Sequence, residues 1–249
     1  MNPEGNPAEP DKSLYAGIIH AKSMDNSATV TNQHAQWETV KHLMGNREVV
    51  LGRHVSYWFS TTPRRSLYSM AYYKFASKMI GQKKRVLDIG CGEGLGTWLL
   101  AKECGNAVGL DQDKEAICAA SMNWKEACIK FICDDFFKSE FDAQFDAVVN
   151  FDVIEHIYPE HAKGFIDKIA KSLTPHGIAV IGTPSLVSQN YASEIAKSGH
   201  VNVYDYDRLY EEMSRRFVHV FMFCANDEVI HTGYSNLAHY YIAVCCKVR

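Results

Sequence analysis

Between Arg85 and Gly182, short apolar runs alternate with helix-length segments, and this alternation restricts the possible fold more than any other feature of the chain. Arg85–Ile89, Asn106–Leu110, Ile129–Cys133, Phe145–Phe151 and Gly177–Gly182 read as strands, each brief, apolar and flanked by turn residues. Gly94–Cys104, Lys114–Lys125 and Ala162–Leu173 read as the helices between them. Strands joined in this way need crossover connections, which predicts a parallel sheet with helices on both faces. The pattern then changes. Tyr206–Arg216 reads as a helix, and Phe217–Cys224 and Leu237–Lys247 as two strands separated only by the turn-rich stretch 225–236. An antiparallel hairpin at the edge of an otherwise parallel sheet is expected.

The remainder of the chain is less regular. Residues 1–13 are polar and proline-rich and read as a disordered tail, with no signal peptide. Residues 14–65 read as an N-terminal helical cap, and residues 66–249 as the main domain. A helical pattern starts near Ser66, runs through Leu67, Met70, Ala71, Lys74, Phe75, Lys78 and Met79, and stops at Gly81.

The apolar fraction of 47% and charged fraction of 22% are those of a globular domain, and no apolar run approaches transmembrane length. A net charge of -3 with scattered basic residues argues against nucleic acid as a partner, since phosphate neutralisation needs a basic face. Eight cysteines without a C-x-x-C pair read as reduced thiols of a cytoplasmic protein. No metal-ligand spacing is evident, and no metal is expected.

The sharpest local feature is Val86-Leu-Asp88-Ile-Gly90-Cys91-Gly92-Glu-Gly94-Leu-Gly96, at the junction of the first strand and its helix. Glycines there permit positive φ and close approach of a ligand to bare backbone, and the helix start offers free N–H groups. The spacing departs from the dinucleotide pattern G-x-G-x-x-G, because Leu95 and Thr97 stand where its last small residue would fall. An acid before the turn would repel a pyrophosphate, whereas Asp88 would suit a ligand carrying an amine. The second strand ends Val108-Gly-Leu-Asp111, where a carboxylate can accept two hydrogen bonds from a ribose diol. The alternative role for Asp111, capping the next helix, would be shared with Asp113.

These two motifs together resemble those of the class I S-adenosylmethionine-dependent methyltransferases, and the resemblance spans Arg85 to Gly182. It implies a Rossmann-like, seven-stranded, mostly parallel α/β sheet with a C-terminal antiparallel hairpin, and S-adenosylmethionine as cofactor. Carried over, the methionine end falls to Asp88, the close approach to Gly90, Cys91 and Gly92, and the ribose to Asp111. Gln112 would pack on the adenine face. In Cys133-Asp134-Asp135-Phe136, an aspartate would accept the adenine amino group. Asp135 before Phe136 fits the pattern best, Asp134 replaces the usual small residue, and both could instead cap a turn.

Strand four ends Asn150-Phe151-Asp152-Val-Ile-Glu155-His156, which resembles family members with a Glu-His pair at this place. Asn150 and Phe151 would lie beside the methionine chain. His156 would act as a general base or order its loop. His200, in the long loop after strand five, is the best acceptor-side candidate, a solvated loop histidine being the alternative. His54, Tyr57 and Trp58 of the cap either complete the pocket or pack structurally. The function implied is methyl transfer to a small-molecule acceptor, at oxygen. An N-methyltransferase, a protein methyltransferase and a non-catalytic cofactor-binding subunit are the alternatives, and the oligomeric state is open.

Overall fold

The computed structural model describes residues 27–249 except 47 and 83, so the expected tail and the start of the expected cap lie outside the described residues. The chain divides into two compact units, residues 1–48 and 49–249. In the first, α1 (Ser27–Met44) carries Glu38 within salt-bridge distance of His34 and Lys41.

The second unit holds one eight-stranded sheet. Its strands are β1 (Lys84–Ile89), β2 (Gly105–Asp111), β3 (Ile129–Cys133), β4 (Phe145–Phe151), β5 (Leu173–Pro184), β6 (Phe217–Asn226), β7 (Val229–His231) and β8 (Tyr240–Val248). Their order is β3-β2-β1-β4-β5-β8-β6-β7, parallel from β3 to β5 and antiparallel beyond. The helices are α2 (Arg53–Thr61), α3 (Arg64–Ile80), α4 (Leu95–Cys104), α5 (Lys114–Asn123), α6 (Pro159–Ser172), α7 (Glu194–Gly199) and α8 (Tyr206–Ser214).

The central strands are predominantly apolar because both their faces are covered. Leu87, Ile89 and Val148 join one core with Phe165 and Ile169 of α6 and Leu209 and Met213 of α8. Val86, Ala147 and Val149 join the other, with Tyr72, Tyr73 and Ala76 of α3 and Leu100 of α4. The period of two appears again at the neighbouring thiols of β8. Cys245 lies in the first core and Cys246 packs against the second. All eight cysteines are free.

Two readings need correction. The sheet has eight strands, not seven, because the turn-rich stretch contains β7, which pairs with β6 from Cys224↔His231 to Asn226↔Val229. Three residues beyond a tight turn, at which Asp227 adopts φ 49°, carry too little periodicity to be read as a strand. The expected antiparallel hairpin is present beside β5, with β8 pairing antiparallel to both β5 and β6. Finally, α3 buries Tyr72, Tyr73, Ala76 and Ile80 and leaves Leu67 and Met79 exposed. Tyr72 stacks on Tyr240 with 4.5 Å between ring centroids, so the large aromatics set the inward face.

Candidate functional site

A cavity of about 1310 Å³ opens at the carboxyl ends of β1, β2, β4 and β5. Of the thirteen residues singled out from sequence, Gly90, Cys91, Gly92, Asp111, Gln112, Asp134, Asp135, Phe136, Phe151, His156 and His200 line it. Asp88 and Asn150 do not, and sit fully buried behind its wall.

The glycine turn is held from below. Gly90 N–H donates to Leu110 O at 2.8 Å, and Gly90, Gly92 and Gly94 all take positive φ. At Gly90 a Cβ would meet Val153 Cγ2 at 2.2 Å, whereas at Gly92 nothing lies within 4 Å of where a Cβ would stand. The first glycine is therefore needed by the fold, and the second leaves an open cradle facing the cavity.

Asp111, at the end of β2, is fixed by two backbone donors, one on each oxygen. Gly92 N–H donates to Oδ2 and Asp113 N–H to Oδ1, each at 2.9 Å. Capping of α5 falls to Asp113, which accepts from Glu115 N–H at 2.8 Å and Ala116 N–H at 3.3 Å. Each oxygen of Asp111 thus retains a lone pair for a further donor.

Asp88 accepts from Thr97 Oγ1 at 2.6 Å and from Tyr73 OH at 3.1 Å. Burial pushes its carboxyl up to about 7, against the opposing pull of these two hydrogen bonds. Asn150 donates to Ile89 O at 3.1 Å, while its Oδ1 is buried without a partner among the described residues.

After β3, Asp134 accepts from Asp135 N–H and from Ser139 Oγ, each at 2.8 Å. Asp135 accepts from Phe137 N–H at 2.9 Å, and this bond, with Lys138 beside it, holds its carboxyl below the usual range. Both aspartates cap their own turn and also face the cavity. Phe136 is buried against Phe165, with ring centroids 5.3 Å apart.

At the other end, Glu155 is fully buried in a short helical turn after β4. Its Oε2 accepts from Thr183 Oγ1 at 3.1 Å, and burial together with the charge of Asp152 drives its carboxyl well above the usual range. Asp152 itself adopts φ 56°, a left-handed conformation uncommon for a residue with a side chain. His156 Nδ1 lies 2.7 Å from Gly199 O, and His200 Nδ1 lies 2.8 Å from Gln189 Oε1. The two rings meet edge to face at 5.2 Å. Burial and the neighbouring His156 hold His200 below its ordinary pKa. The long loop after β5 lines the cavity through Ser188, Gln189, Ala196 and His200, and is tied to the β4 turn by Val201 and Asn202 N–H donating to Glu155 O.

His54 and Trp58 of α2 also line the cavity, while Tyr57 is exposed. Arg65 stacks on Trp58 at 4.2 Å and faces Asp152 at 3.8 Å. Sequence reasoning missed Tyr73 and Thr97, the partners of Asp88, and Glu93, whose Oε1 accepts from His54 and Val55 N–H at 2.8 and 3.1 Å. Glu93 lies inside the glycine motif, yet nothing in the motif reveals that α2 starts above it.

Residues 86–177 match the family model described as a methyltransferase domain. The chain is 29% identical over 147 residues to a probable S-adenosylmethionine-dependent methyltransferase of Mycolicibacterium smegmatis, covering 59% of this chain and 52% of that protein. It is 33% identical over 134 residues to the mitochondrial ubiquinone biosynthesis O-methyltransferase of Dictyostelium discoideum, covering 47% and 40% respectively. The chain thus spans about half the length of the curated relatives it matches. Among solved structures it is similar to the N-methyltransferase NodS of Bradyrhizobium japonicum in complex with S-adenosyl-L-homocysteine, at TM-score 0.58 and 20% identity over 76% of this chain and 90% of that one. It is also similar to a putative Haloferax volcanii methyltransferase in complex with the activator Trm112, at TM-score 0.62 and 16% identity over 80% and 100%. Residues 86–177 thus match a methyltransferase domain, and the fold is the Rossmann-like one of the S-adenosylmethionine-dependent methyltransferases.

Proposed function

We propose that this protein transfers a methyl group from S-adenosylmethionine to a hydroxyl oxygen of a small-molecule acceptor. The observation that carries this reading is a single cavity with two chemically different ends, the glycine turn with Asp111 at one and Glu155, His156 and His200 at the other. The donor fits the first end. The backbone at Gly92 is open, and Asp111 keeps a lone pair on each oxygen for the two ribose hydroxyls. Gln112, Asp134, Asp135 and Phe136 line the adenine side, and Gly90, Cys91 and Phe151 the methionine side, with Asp88 and Asn150 supporting it from behind.

S-adenosylmethionine supplies an already activated methyl group, so the work of the chain is alignment. The loop after β5 and helix α2 line the part of the cavity that would take the acceptor, and Arg65 with Trp58 presents a cationic, aromatic wall there. The hydroxyl proton of the acceptor leaves at the end where His156 and His200 stand. Oxygen as the accepting atom is supported by the relatives named as ubiquinone biosynthesis O-methyltransferases.

The test is calorimetry with S-adenosylmethionine and with NAD, followed by transfer of an isotope-labelled methyl group into a small-molecule extract. Binding of the sulfonium alone and a labelled O-methyl product are expected. Preferential binding of NAD, or label recovered only on nitrogen or on protein, would overturn the reading.

A further inference from the structure

Glu155, His156 and His200 each bring a possible ligand atom within 4.8 Å of the others. Glu155 and His156 are consecutive on the turn after β4, and His200, 44 residues further on, is brought to them from the end of α7. Three further observations point to what this cluster is built to hold. Glu155 Oε1 is buried without a hydrogen-bond partner among the described residues, an expensive state for a carboxylate oxygen inside a protein. A carbonyl only accepts, so His156 Nδ1 at 2.7 Å from Gly199 O carries the proton and Nε2 presents its lone pair. With Gln189 Oε1 accepting from His200 Nδ1 at 2.8 Å, the second imidazole is oriented in the same way.

The cluster is also preorganised. Val201 and Asn202 N–H both donate to Glu155 O, so the residues following His200 are anchored on the residue that supplies the carboxylate. Around it, the charges of Arg65 and Asp152 oppose each other at 3.8 Å. Among the described residues, no cation lies within salt-bridge distance of Glu155.

We propose that Glu155, His156 and His200 bind a divalent first-row transition-metal ion through one carboxylate oxygen and two imidazole nitrogens. Two nitrogens and one oxygen suit Mn²⁺, Fe²⁺, Co²⁺ or Zn²⁺ better than Mg²⁺ or Ca²⁺, which favour all-oxygen sets. Three protein ligands leave positions open toward the cavity that these residues line. The purpose of the ion, though not its binding, rests on the methyl-transfer reading. An acceptor hydroxyl that reaches it loses its proton to solvent more readily. The oxygen–carbon bond then forms as the carbon–sulfur bond breaks, with its electron pair left on sulfur. A neutral aliphatic or phenolic hydroxyl thereby becomes a competent acceptor near neutral pH.

The experiment is titration of the full chain, stripped of metal by a chelator, with MnCl₂, ZnCl₂ and MgCl₂ in the absence of methyl donor. Heat of binding reports all three ions, and the electron paramagnetic resonance of Mn²⁺ reports its immobilisation. One saturable equivalent of Mn²⁺ or Zn²⁺ is expected, with Mg²⁺ at least roughly tenfold weaker. Glu155→Gln, His156→Ala and His200→Ala should each weaken binding roughly tenfold or more. His219→Ala, an exposed histidine outside the cavity, should leave it unchanged. His156 and His200 are not in the core, so those two variants decide the matter if Glu155→Gln fails to fold. Absence of saturable binding, or binding unaltered in the His156→Ala/His200→Ala double variant, would overturn the proposal. Metal binding without any methyl transfer would leave this site standing and sink the proposed function, and donor binding without metal binding would do the reverse.

Discussion

The hydroxyl of Tyr73 donates to the carboxylate of Asp88 at 3.1 Å in a fully buried environment, joining α3 to the end of the central strand directly beneath the glycine turn. The two residues lie close in sequence but on opposite sides of a helix-to-strand turn. Only packing of α3 across β1 brings them together.

Asp88 confers a defined pH dependence. Its carboxyl is raised by burial to about 7 in the folded chain, whereas an exposed aspartate ionises near 3.8. Folding therefore takes up a proton between these values. The contribution of Asp88 to stability is full below about 4, is lost as pH rises to about 7, and changes little above that. Denaturant unfolding of the wild type and Asp88→Asn from pH 5 to 8.5 should show a steeper decline with pH in the wild type. Parallel curves would show that Asp88 ionises normally. Tyr73→Phe should cost about 1–2 kcal/mol by the same measurement.

The two glycines at the turn should separate stability from binding. Gly90→Ala forces a Cβ within 2.2 Å of Val153 Cγ2 at φ 75°, and should lower stability by about 1–3 kcal/mol. Gly92→Ala meets no atom within 4 Å, and at φ 51° should cost only about 1 kcal/mol while placing a methyl group in the cradle. Thermal unfolding with calorimetry of S-adenosylhomocysteine binding checks both. Equal losses of stability would refute the distinction.

Asp111→Ala should weaken S-adenosylhomocysteine by about 1–3 kcal/mol, through lost hydrogen bonds to the ribose and a loosened Gly92. Asp111→Asn should fall between. Affinity unchanged in Asp111→Ala would remove the ribose role.

Glu93 governs α2. Its carboxylate supplies the acceptor that Gly52, preceding the helix, cannot offer, and its negative charge suits a helix N-terminus. Glu93→Ala should accelerate amide exchange across 53–61 and lower global stability by about 1 kcal/mol. Exchange unaltered at His54 and Val55 would show the cap to be dispensable.

The sheet was legible because burial on both faces makes β1, β4 and the second half of β5 predominantly apolar, and those runs survive in the one-dimensional chain. The glycine turn and Asp111 were legible for a related reason, since a strand-to-helix turn and its following acid are local in sequence. The strand β7 was not, because its order comes from pairing with β6 and not from a pattern of its own. The inward face of α3 was not, because Tyr72 and Tyr73 are buried by ring stacking and by Asp88.

What the sequence by itself determined was the succession of elements and the chemistry at each strand end, because both follow from residue types a few positions apart. What only the tertiary structure decided was which of those ends share a cavity, that Asp88 and Asn150 stand behind its wall, and that His200 meets His156 and Glu155. Those relations join residues across long stretches of chain, and the packing of loops and helices over the sheet edge sets their distances.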